Sequence, residues 1–357
     1  MQVTPATTEE AAEFLRTADG TVAIKGAGTK QEWGGTVAPA ELTLSTGALT
    51  GVVEHAAGDL IVVVEAGTPL AALREHLAAQ GQQLALDETV PGATIGGTVA
   101  ANTSGPRRML YGTARDLVIG VTVVRADGTV ARAGGKVVKN VAGYDLGKLF
   151  TGSYGTLGLI TRLAFRLHPL PEMSTFVRGQ GKAGTLAAIR AAQVVPSAVE
   201  IDGDEVAVLV EGTAAGVAAR AATLARILGG DDQSRPEWWG RYPWEPGGTG
   251  IKVTAALSRV PELLREDIRL RGSAGTGVLY AGLPPSTPPE EVVRVVGVLR
   301  AAARDAGGHA VVLTAPAAVR EQVDLWGPVD GLALMRRVKQ QFDPEGRFAA
   351  GRFVGGI

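Results

Sequence analysis

Residues 91–130 read PGATIGGTVAANTSGPRRMLYGTARDLVIGVTVVRADGTV, and residues 131–171 continue with ARAGGKVVKNVAGYDLGKLFTGSYGTLGLITRLAFRLHPLP. Glycines interrupt this stretch where a helix or strand should begin or end, and polar side chains cluster at the same breaks. Glycine allows positive φ angles and lets the main chain approach a ligand closely. The pattern therefore indicates a surface that wraps around a large ligand.

Length and composition limit the classes of protein that the chain can represent. Its 357 residues favour two domains, and 45% of them are apolar, which is ample for a core. A net charge of −1 argues against nucleic acid as a main partner, because such binding needs a basic surface. With no cysteine, the chain can form neither a disulfide nor a cysteine-ligated iron–sulfur cluster. The sequence shows neither a signal-peptide pattern nor an apolar run long enough to span a bilayer.

The first 90 residues predict two helices among several short strands. The segment Thr7–Ala18 has a helical pattern with Thr7 or Thr8 as the N-cap. A second helix is predicted over Thr68–Gln80, with Thr68 as the N-cap, Pro69 in the first position and Gly81 at the end. Short strands are predicted at 21–25, 42–44, 51–55 and 60–65.

A glycine-rich loop, Gly26–Lys30, follows the first of these strands and reads GAGTK. It is not a dinucleotide-binding fingerprint, because Gln31 occupies the position of the third glycine. Backbone N–H groups of such a loop can form an anion-binding nest, and a simple tight turn explains the pattern equally well.

A second candidate anion site lies at the start of the quoted stretch. Thr94 is predicted to cap a helix that begins IGGTVAAN, so that the N–H groups of Ile95, Gly96 and Gly97 point at an anion. Two glycines in a first turn are destabilising by roughly 1 kcal/mol each relative to alanine. Close packing against a ligand is one reason for them, and close packing against another backbone is the alternative.

The rest of the chain divides near Pro171. Before it, the pattern predicts a hairpin from 117–125 and 129–133, a helix at 144–150 and a strand at 159–167. After it, longer and more regular segments favour a separate α+β domain. There the strands are predicted at 174–179, 197–202, 205–211, 250–257, 276–283 and 309–314, and the helices at 184–194, 214–228, 258–270, 288–306 and 331–341.

Metal and nucleophile chemistry find little support in the sequence. His55, His76, His168 and His309 are far apart, so no metal site is predicted. Residues 152–155 do not have the spacing of a hydrolase nucleophile elbow, and a P-loop is absent. Two candidate pyrophosphate-binding loops with little acid–base machinery are typical of an enzyme whose cofactor carries the chemistry.

Several motifs resemble the FAD-binding domain of the vanillyl-alcohol oxidase and p-cresol methylhydroxylase (PCMH) flavoproteins. They are KGAGTK at 25–30, GPRR at 105–108, KNVAGYDL at 139–146 and GSYGTLG at 152–158. The chain is most similar to the FAD-binding subunits of bacterial glycolate oxidase (glycolate dehydrogenase) within this family. The resemblance covers the whole chain, strongly over 20–170 and weakly over 172–330. The tail, from Phe342-Asp343-Pro344 to Gly351-Arg352, resembles the family's FDP…PGR element with Ala350 where proline is usual.

The resemblance implies an α+β fold: a two-subdomain PCMH-type FAD-binding domain over residues 1–171, then an α+β cap domain with a mainly antiparallel sheet over 172–330. Residues 331–357 would form a C-terminal helix and tail that pack back on the FAD-binding domain. By matching motif, the pyrophosphate would be held by Gly26, Ala27, Gly28, Thr29 and Lys30. The pyrophosphate and ribityl chain would be flanked by Thr94, Ile95, Gly96, Gly97 and Asn102. The flavin or its loop would be contacted by Asn140, Gly143, Tyr144, Asp145, Gly155 and Ile160.

The implied activity is oxidation of a small 2-hydroxy acid such as glycolate, with hydride passing from substrate C2 to flavin N5. FAD should be noncovalent, because the first loop has no histidine and the chain no cysteine. Electrons would leave to an Fe–S partner subunit, and a second FAD subunit would share or hold the substrate site. Such a protein is expected in the cytoplasm, without direct membrane insertion and with any membrane association made through its partner subunits.

One departure from the family leaves the function open. Relatives that oxidise 2-hydroxy acids carry a histidine-rich metal site in the cap domain, whereas His309 is the one histidine there in this sequence. No catalytic residue is assigned. Arg107, Arg108, Lys139 or Lys252 could bind a carboxylate, and each is also explained as a solvated or phosphate-facing charge. The alternatives are an FAD-loaded electron-relay or structural subunit without its own turnover, and a stand-alone flavin oxidase of another hydroxy acid or alcohol.

Overall fold

The computed structural model describes residues 1–135, 145–181, 184–230, 232–265 and 267–357. These residues form two compact units. Unit 1 consists of Met1–Ser104, Gly112–Leu170 and Pro328–Ile357, and unit 2 of Gly105–Tyr111 and Pro171–Gly327. A short segment from within the first 171 residues, GPRRMLY, therefore belongs to unit 2, whereas the C-terminal tail belongs to unit 1.

Short strands dominate both units. The strands are β1 (Gln2–Val3), β2 (Val22–Lys25), β3 (Leu42–Ser45), β4 (Val52–Ala56), β5 (Ile61–Glu65), β6 (Gln82–Gln83), β7 (Val118–Val124), β8 (Val130–Gly134), β9 (Leu159–Arg166), β10 (His168–Pro169), β11 (Met173–Gln180), β12 (Ala198–Asp202), β13 (Glu205–Gly212), β14 (Thr249–Thr254), β15 (Arg271–Ser273), β16 (Val278–Leu283) and β17 (Ala310–Thr314).

Most helices are short as well. They are α1 (Thr8–Thr17), α2 (Leu70–Ala78), α3 (Ile95–Ala100), α4 (Arg108–Tyr111), α5 (Ala114–Leu117), α6 (Leu146–Phe150), α7 (Thr185–Ala191), α8 (Ala214–Leu228), α9 (Pro289–Asp305), α10 (Ala317–Arg320) and α11 (Leu332–Phe342), with 3₁₀ turns at Ala57–Asp59, Leu257–Leu263 and Val354–Gly356. Within the described ranges, no helix is both long and apolar enough to cross a membrane.

Unit 1 is built on two main sheets. A three-stranded parallel sheet has the order β1-β3-β2, and a five-stranded antiparallel sheet has the order β4-β5-β9-β7-β8. Helix α2 buries Leu70, Leu73 and Leu77 in the core of the larger sheet, together with Phe150 and Phe165. These apolar residues recur every three or four positions along α2, which places them on one helical face. The sheets thus fix the ends of β2 and β9, where the glycine-rich loops begin or end.

Unit 2 contains a seven-stranded antiparallel sheet with the order β11-β13-β12-β15-β16-β14-β17. Helices α8 and α9 share a core with one face of it, which includes Ile251, Val253 and Leu279. Because successive strand residues point to opposite faces, Lys252 and Tyr280 lie on the other face. These two residues are direct cross-strand partners. The α+β class predicted from the sequence is confirmed, as is the antiparallel sheet of the second half.

Two predictions of local structure are wrong. The predicted helix at 258–270 is instead a 3₁₀ turn over Leu257–Leu263 that contains Pro261, and β15 follows it. Proline has no N–H to donate and clashes with the preceding turn, which explains why an α-helix does not form there. Thr68 does not cap α2, because Pro69 is the N-cap and the Thr68 hydroxyl accepts a 2.9 Å hydrogen bond from the Gly51 N–H.

Candidate cofactor-binding site

One cavity of unit 1 forms where the loop after β2, the start of α3, the loop before β9 and the C-terminal tail converge. Its empty volume is about 690 Å³, part of it open to solvent. The residues that line it are Ile24, Gly26, Ala27, Gly28, Thr29, Lys30, Gln31, Thr46, Ala66, Thr94, Gly96, Gly97, Ala100, Ala101, Tyr154, Gly155, Gly158, Ile160 and Arg352.

Most of the predicted cofactor-binding residues meet at this cavity. The structure brings together Gly26, Ala27, Gly28, Thr29, Lys30, Thr94, Gly96, Gly97, Gly155 and Ile160. Their role in FAD binding stays a prediction. Asn140, Gly143 and Tyr144 lie outside the described residues. Tyr154 and Arg352 also line the cavity, although neither was among the predicted site residues. Tyr154 belongs to the GSYGTLG motif and Arg352 to the tail motif, so the signal for them was present in the sequence.

Three predicted residues do not line the cavity. Ile95 is fully buried in the core of unit 1. Asp145 caps α6, where its carboxylate accepts a 3.0 Å hydrogen bond from the Lys148 N–H. Asn102 has a φ of 47°, and its buried Oδ1 has no hydrogen-bond partner within the part of the chain that the structure describes. Ile95 and Asp145 therefore support the local structure. Asn102 follows the C-terminal end of α3, and its side-chain oxygen accepts no hydrogen bond from the described residues.

The loop Gly26–Lys30 presents free backbone donors. No acceptor for the amide N–H groups of these five residues is found within the described ranges. Gly28 has a φ of +80°, which glycine adopts without strain and which turns the chain at the middle of the loop. Gly26 and Gly28 are half-buried and Lys30 is buried, whereas Ala27 and Thr29 are exposed. Free N–H groups of such a loop can bind an anion, so the loop has the properties of an anion-binding nest.

Lys30 adds a positive charge to this loop. The residue is 9% exposed, and its Nζ lies 3.2 Å from Thr29 Oγ1. Burial lowers the pKa of Lys30 from 10.5 to about 8, and the carboxylate of Glu88 raises it only in part. A buried ammonium with so little compensation is stabilised by a bound anion.

The first turn of α3 does not present free donors, which corrects the prediction for Ile95, Gly96 and Gly97. Their N–H groups are bonded within unit 1: Ile95 to the Thr68 carbonyl at 2.9 Å, Gly96 to the Ala66 carbonyl at 2.7 Å, and Gly97 to Thr94 Oγ1 at 3.2 Å. The Thr94 cap is confirmed.

Gly96 is explained by backbone packing rather than by a ligand. A Cβ at this position would lie 2.8 Å from the Ala66 Cβ and 2.9 Å from the Ala66 carbonyl oxygen. The helix therefore sits directly on the end of β5, and this contact uses the Gly96 N–H that was expected to face an anion. The loop Gly26–Lys30 remains the anion-binding element of the cavity.

These residues fit FAD. The pyrophosphate of the cofactor carries negative charge, and the loop offers N–H groups and the Lys30 ammonium to bind it. Thr94 closes the opposite side, since a Cβ at Gly26 would lie 2.6 Å from its hydroxyl oxygen. Any side chain at Gly26 would thus fill the space between the loop and α3.

Unit 2 carries a separate group of half-buried cations, Arg108 and Lys252, on the sheet face opposite α8 and α9. Arg108 of α4 donates from Nη2 to the Tyr280 hydroxyl at 3.3 Å, and Tyr280 pairs across the strands with Lys252. Burial lowers the pKa of Lys252, and the charge of Arg108 lowers it further. Burial and the charge of Lys252 also lower the pKa of His309. Within the described ranges, no three histidine, aspartate or glutamate side chains are arranged to hold a metal ion.

Comparisons with known proteins identify relatives of the domain that contains this cavity. Residues 1–134 match the family described as FAD binding domain. Glycolate oxidase subunit GlcE of Escherichia coli is 39% identical over 138 residues, which are 38% of this chain and 39% of that protein. Mitochondrial D-2-hydroxyglutarate dehydrogenase of Bos taurus is 37% identical over 172 residues, which are 47% of this chain and 32% of that protein.

A solved structure extends the likeness of fold. The structure of an alkyldihydroxyacetonephosphate synthase superposes with a TM-score of 0.69 at 16% sequence identity, covering 97% of this chain and 76% of that one. The two sequence matches span less than half of the relatives' own lengths. Both the match at residues 1–134 and the anion-binding loop at 26–30 lie in unit 1. Residues 1–134 of this chain therefore match FAD-binding domains of the PCMH type.

Proposed function

We propose that the protein is an FAD-dependent oxidoreductase that acts on the CH–OH group of a small 2-hydroxy acid, and that it works as a flavin subunit of a glycolate-oxidising complex. The observation that carries the proposal is the loop Gly26–Lys30, with its free N–H groups and buried ammonium, inside a FAD-binding domain. The names of the relatives, a glycolate oxidase subunit and a 2-hydroxyglutarate dehydrogenase, support the substrate class.

In this proposal, Gly26–Lys30 binds the pyrophosphate through its N–H groups while the Lys30 ammonium neutralises charge. Thr94 and Gly97 line the cavity on the side opposite this loop, next to the ribityl chain of the cofactor. Gly155 and Ile160, in and after the loop before β9, line it as well. Bound FAD would supply the oxidant for the hydride that leaves substrate C2. No group of this chain forms a covalent bond to the cofactor, which is held noncovalently.

The substrate carboxylate is proposed to bind in unit 2, which serves as the cap domain. Arg108 and Lys252 are half-buried cations next to Tyr280, and Lys252 has no ion pair with an acidic side chain among the described residues. A carboxylate satisfies both charges and accepts hydrogen bonds from them. The lowered pKa of His309 suits a role in accepting the hydroxyl proton.

The partners proposed from the same family are a second FAD subunit and an Fe–S subunit. Two relatives are named as subunits of glycolate oxidase, GlcE and GlcD. Because this chain has no cysteine, an iron–sulfur cluster that receives its electrons must be ligated by another polypeptide.

Anaerobic reduction tests the proposal. The purified chain is loaded with FAD, and glycolate, D-lactate and D-2-hydroxyglutarate are added in turn while the flavin absorbance is followed. Bleaching by one of them supports turnover in this chain, and bleaching only after partner subunits are added favours an electron-relay role. Bleaching by a simple alcohol but by none of the acids points instead to a stand-alone oxidase. A chain that binds no FAD contradicts all three functions.

A further inference from the structure

We propose that Arg352, in the C-terminal tail, is a positioning residue for cofactor binding: it holds the backbone of the loop after β2 so that Lys30 faces the cavity. The inference rests on the proposed FAD binding at that loop. It assigns to residues near the end of the chain a role in cofactor affinity, in addition to their packing on unit 1.

The contacts of Arg352 converge on one turn of the loop. Its Nη2 donates to the carbonyls of Lys30 at 2.7 Å and Gln31 at 2.6 Å, and its Nε donates to the Trp33 carbonyl at 3.1 Å. The guanidinium is a planar fork with fixed donor directions, so one side chain orients three carbonyls within four residues, those of Lys30, Gln31 and Trp33. The residue is buried, at 8% exposure, and lines the cavity itself.

The backbone of the tail reinforces the same contact. The Arg352 carbonyl accepts a 2.7 Å hydrogen bond from the Gly35 N–H. A Cβ at Gly34 would lie 2.4 Å from the Arg352 carbonyl oxygen, and one at Gly35 would lie 2.1 Å from the Gly351 carbonyl oxygen. The two glycines therefore let the tail lie directly on the chain that follows Lys30. The tail also contacts the cavity-lining residue Tyr154, since the centroids of the Phe353 and Tyr154 rings are 5.9 Å apart.

This arrangement has a consequence for the Lys30 side chain. Because the Lys30 and Gln31 carbonyls are both fixed, the peptide plane between the two residues and the Lys30 Cα are fixed with them. The ammonium then stays buried at the cavity although burial disfavours its charge. Without Arg352, the turn is free to rotate and to expose Lys30 to solvent, which relieves that burial and removes the charge from the anion site.

The chain offers a matched control in Arg347. This second buried tail arginine also donates to backbone carbonyls, those of Leu15, Ala18, Gly20 and Ala126, but it does not touch the loop after β2. Arg347→Gln therefore measures what the loss of a buried tail arginine does to unit 1 as a whole. Arg352→Lys keeps the charge of Arg352 but not the three-carbonyl fork.

The experiment measures the FAD dissociation constant, the thermal midpoint of the apoprotein and amide hydrogen exchange over residues 26–35 for the wild type and the three variants. No hydroxy acid is added, so the outcome is independent of turnover. We expect Arg352→Gln and Arg352→Lys to weaken FAD binding about tenfold or more and to speed exchange in the loop. Arg347→Gln should lower the thermal midpoint at least as much, with little change in the dissociation constant.

Wild-type FAD affinity in Arg352→Gln overturns the inference, as does full recovery by Arg352→Lys, because charge rather than positioning would then suffice. Loss of affinity in Arg347→Gln equal to that in Arg352→Gln also overturns it, since the effect would be general destabilisation. If FAD binds as described but no hydroxy acid is oxidised, the proposed function fails and the role of Arg352 stands. If the wild type binds no FAD, both fail.

Discussion

Replacing Lys30 by methionine should make the apoprotein more stable and should weaken its binding of FAD. Burial lowers the pKa of Lys30 from 10.5 to about 8, so the folded apoprotein holds a disfavoured charge at pH 7. At 1.36 kcal/mol for each pKa unit, the penalty is about 3 kcal/mol. Methionine has a similar length and no charge. Lys30→Met should therefore raise the free energy of unfolding of the apoprotein at pH 7 by up to about 3 kcal/mol.

The pH dependence of this effect has a definite sign. Between about pH 8 and 10.5 the unfolded wild type keeps the Lys30 proton while the folded apoprotein has lost it. The stability of the wild-type apoprotein therefore rises with pH through this window, relative to Lys30→Met. The difference in free energy of unfolding between Lys30→Met and the wild type is therefore largest below about pH 8 and disappears above about pH 10.5.

FAD affinity should change in the opposite direction. A pyrophosphate favours the charged form of Lys30, so wild-type affinity should fall by up to about tenfold per pH unit above pH 8. Lys30→Met should bind FAD more weakly at pH 7 by about 1.5–3 kcal/mol, the contribution of a charge-assisted hydrogen bond. Affinity in the variant should not share the steep loss above pH 8.

Urea unfolding of the apoprotein from pH 7 to 10.5, with FAD titrations over the same range, checks both effects. Lys25→Met is the control, because Lys25 is an exposed lysine directly before the same loop. The reasoning is refuted if Lys30→Met destabilises the apoprotein at pH 7, or if its FAD affinity equals that of the wild type.

Three further substitutions test neighbouring parts of the structure. Gly34→Ala should destabilise unit 1 by about 2 kcal/mol or more in urea unfolding, because its Cβ meets the tail backbone, whereas Gly51→Ala, with open space around it and a φ of +114°, should cost only about 1 kcal/mol. Thr94→Ala removes the cap of α3 and should lower the free energy of unfolding by about 1 kcal/mol. Lys252→Met should raise the KM for the hydroxy acid about tenfold or more while stabilising unit 2 at pH 7, and an unchanged KM would contradict the carboxylate site.

Local patterns predicted the elements whose signals are contained in a few neighbouring residues. The Thr7 and Thr94 caps are present as expected, and α8 spans 214–228 as predicted, because a threonine precedes it and Gly229 ends it in a left-handed conformation. The hairpin around Asp127 and Gly128 also formed as predicted. The helix predicted at 258–270 does not form, because Pro261 interrupts the apolar pattern that favours a helix there.

The properties of the cavity were harder to predict from the sequence, because they depend on contacts between distant parts of the chain. Whether a backbone N–H is free depends on a carbonyl elsewhere, and the Ala66 carbonyl that accepts from Gly96 lies thirty positions before it in the sequence. The position of Lys30 depends in turn on Arg352, more than three hundred residues later. Motifs could identify both ends of these contacts but not the pairing between them.

The loop Gly26–Lys30 and the first turn of α3 are both rich in glycine, but the glycines have different roles in the two segments. At Gly96 the missing side chain lets a helix rest on the backbone of β5, and that contact consumes the donor. At Gly26 the missing side chain lets the loop lie directly against the Thr94 side chain, and the donors of Gly26–Lys30 keep no partner among the described residues. Gly26→Ala should thus displace the Thr94 hydroxyl and weaken both the α3 cap and ligand binding, whereas Gly96→Ala should act mainly on the fold. The free donors and the buried ammonium locate the anion site on one loop, and the fixed helix opposite gives that loop a rigid wall against which a ligand can be held.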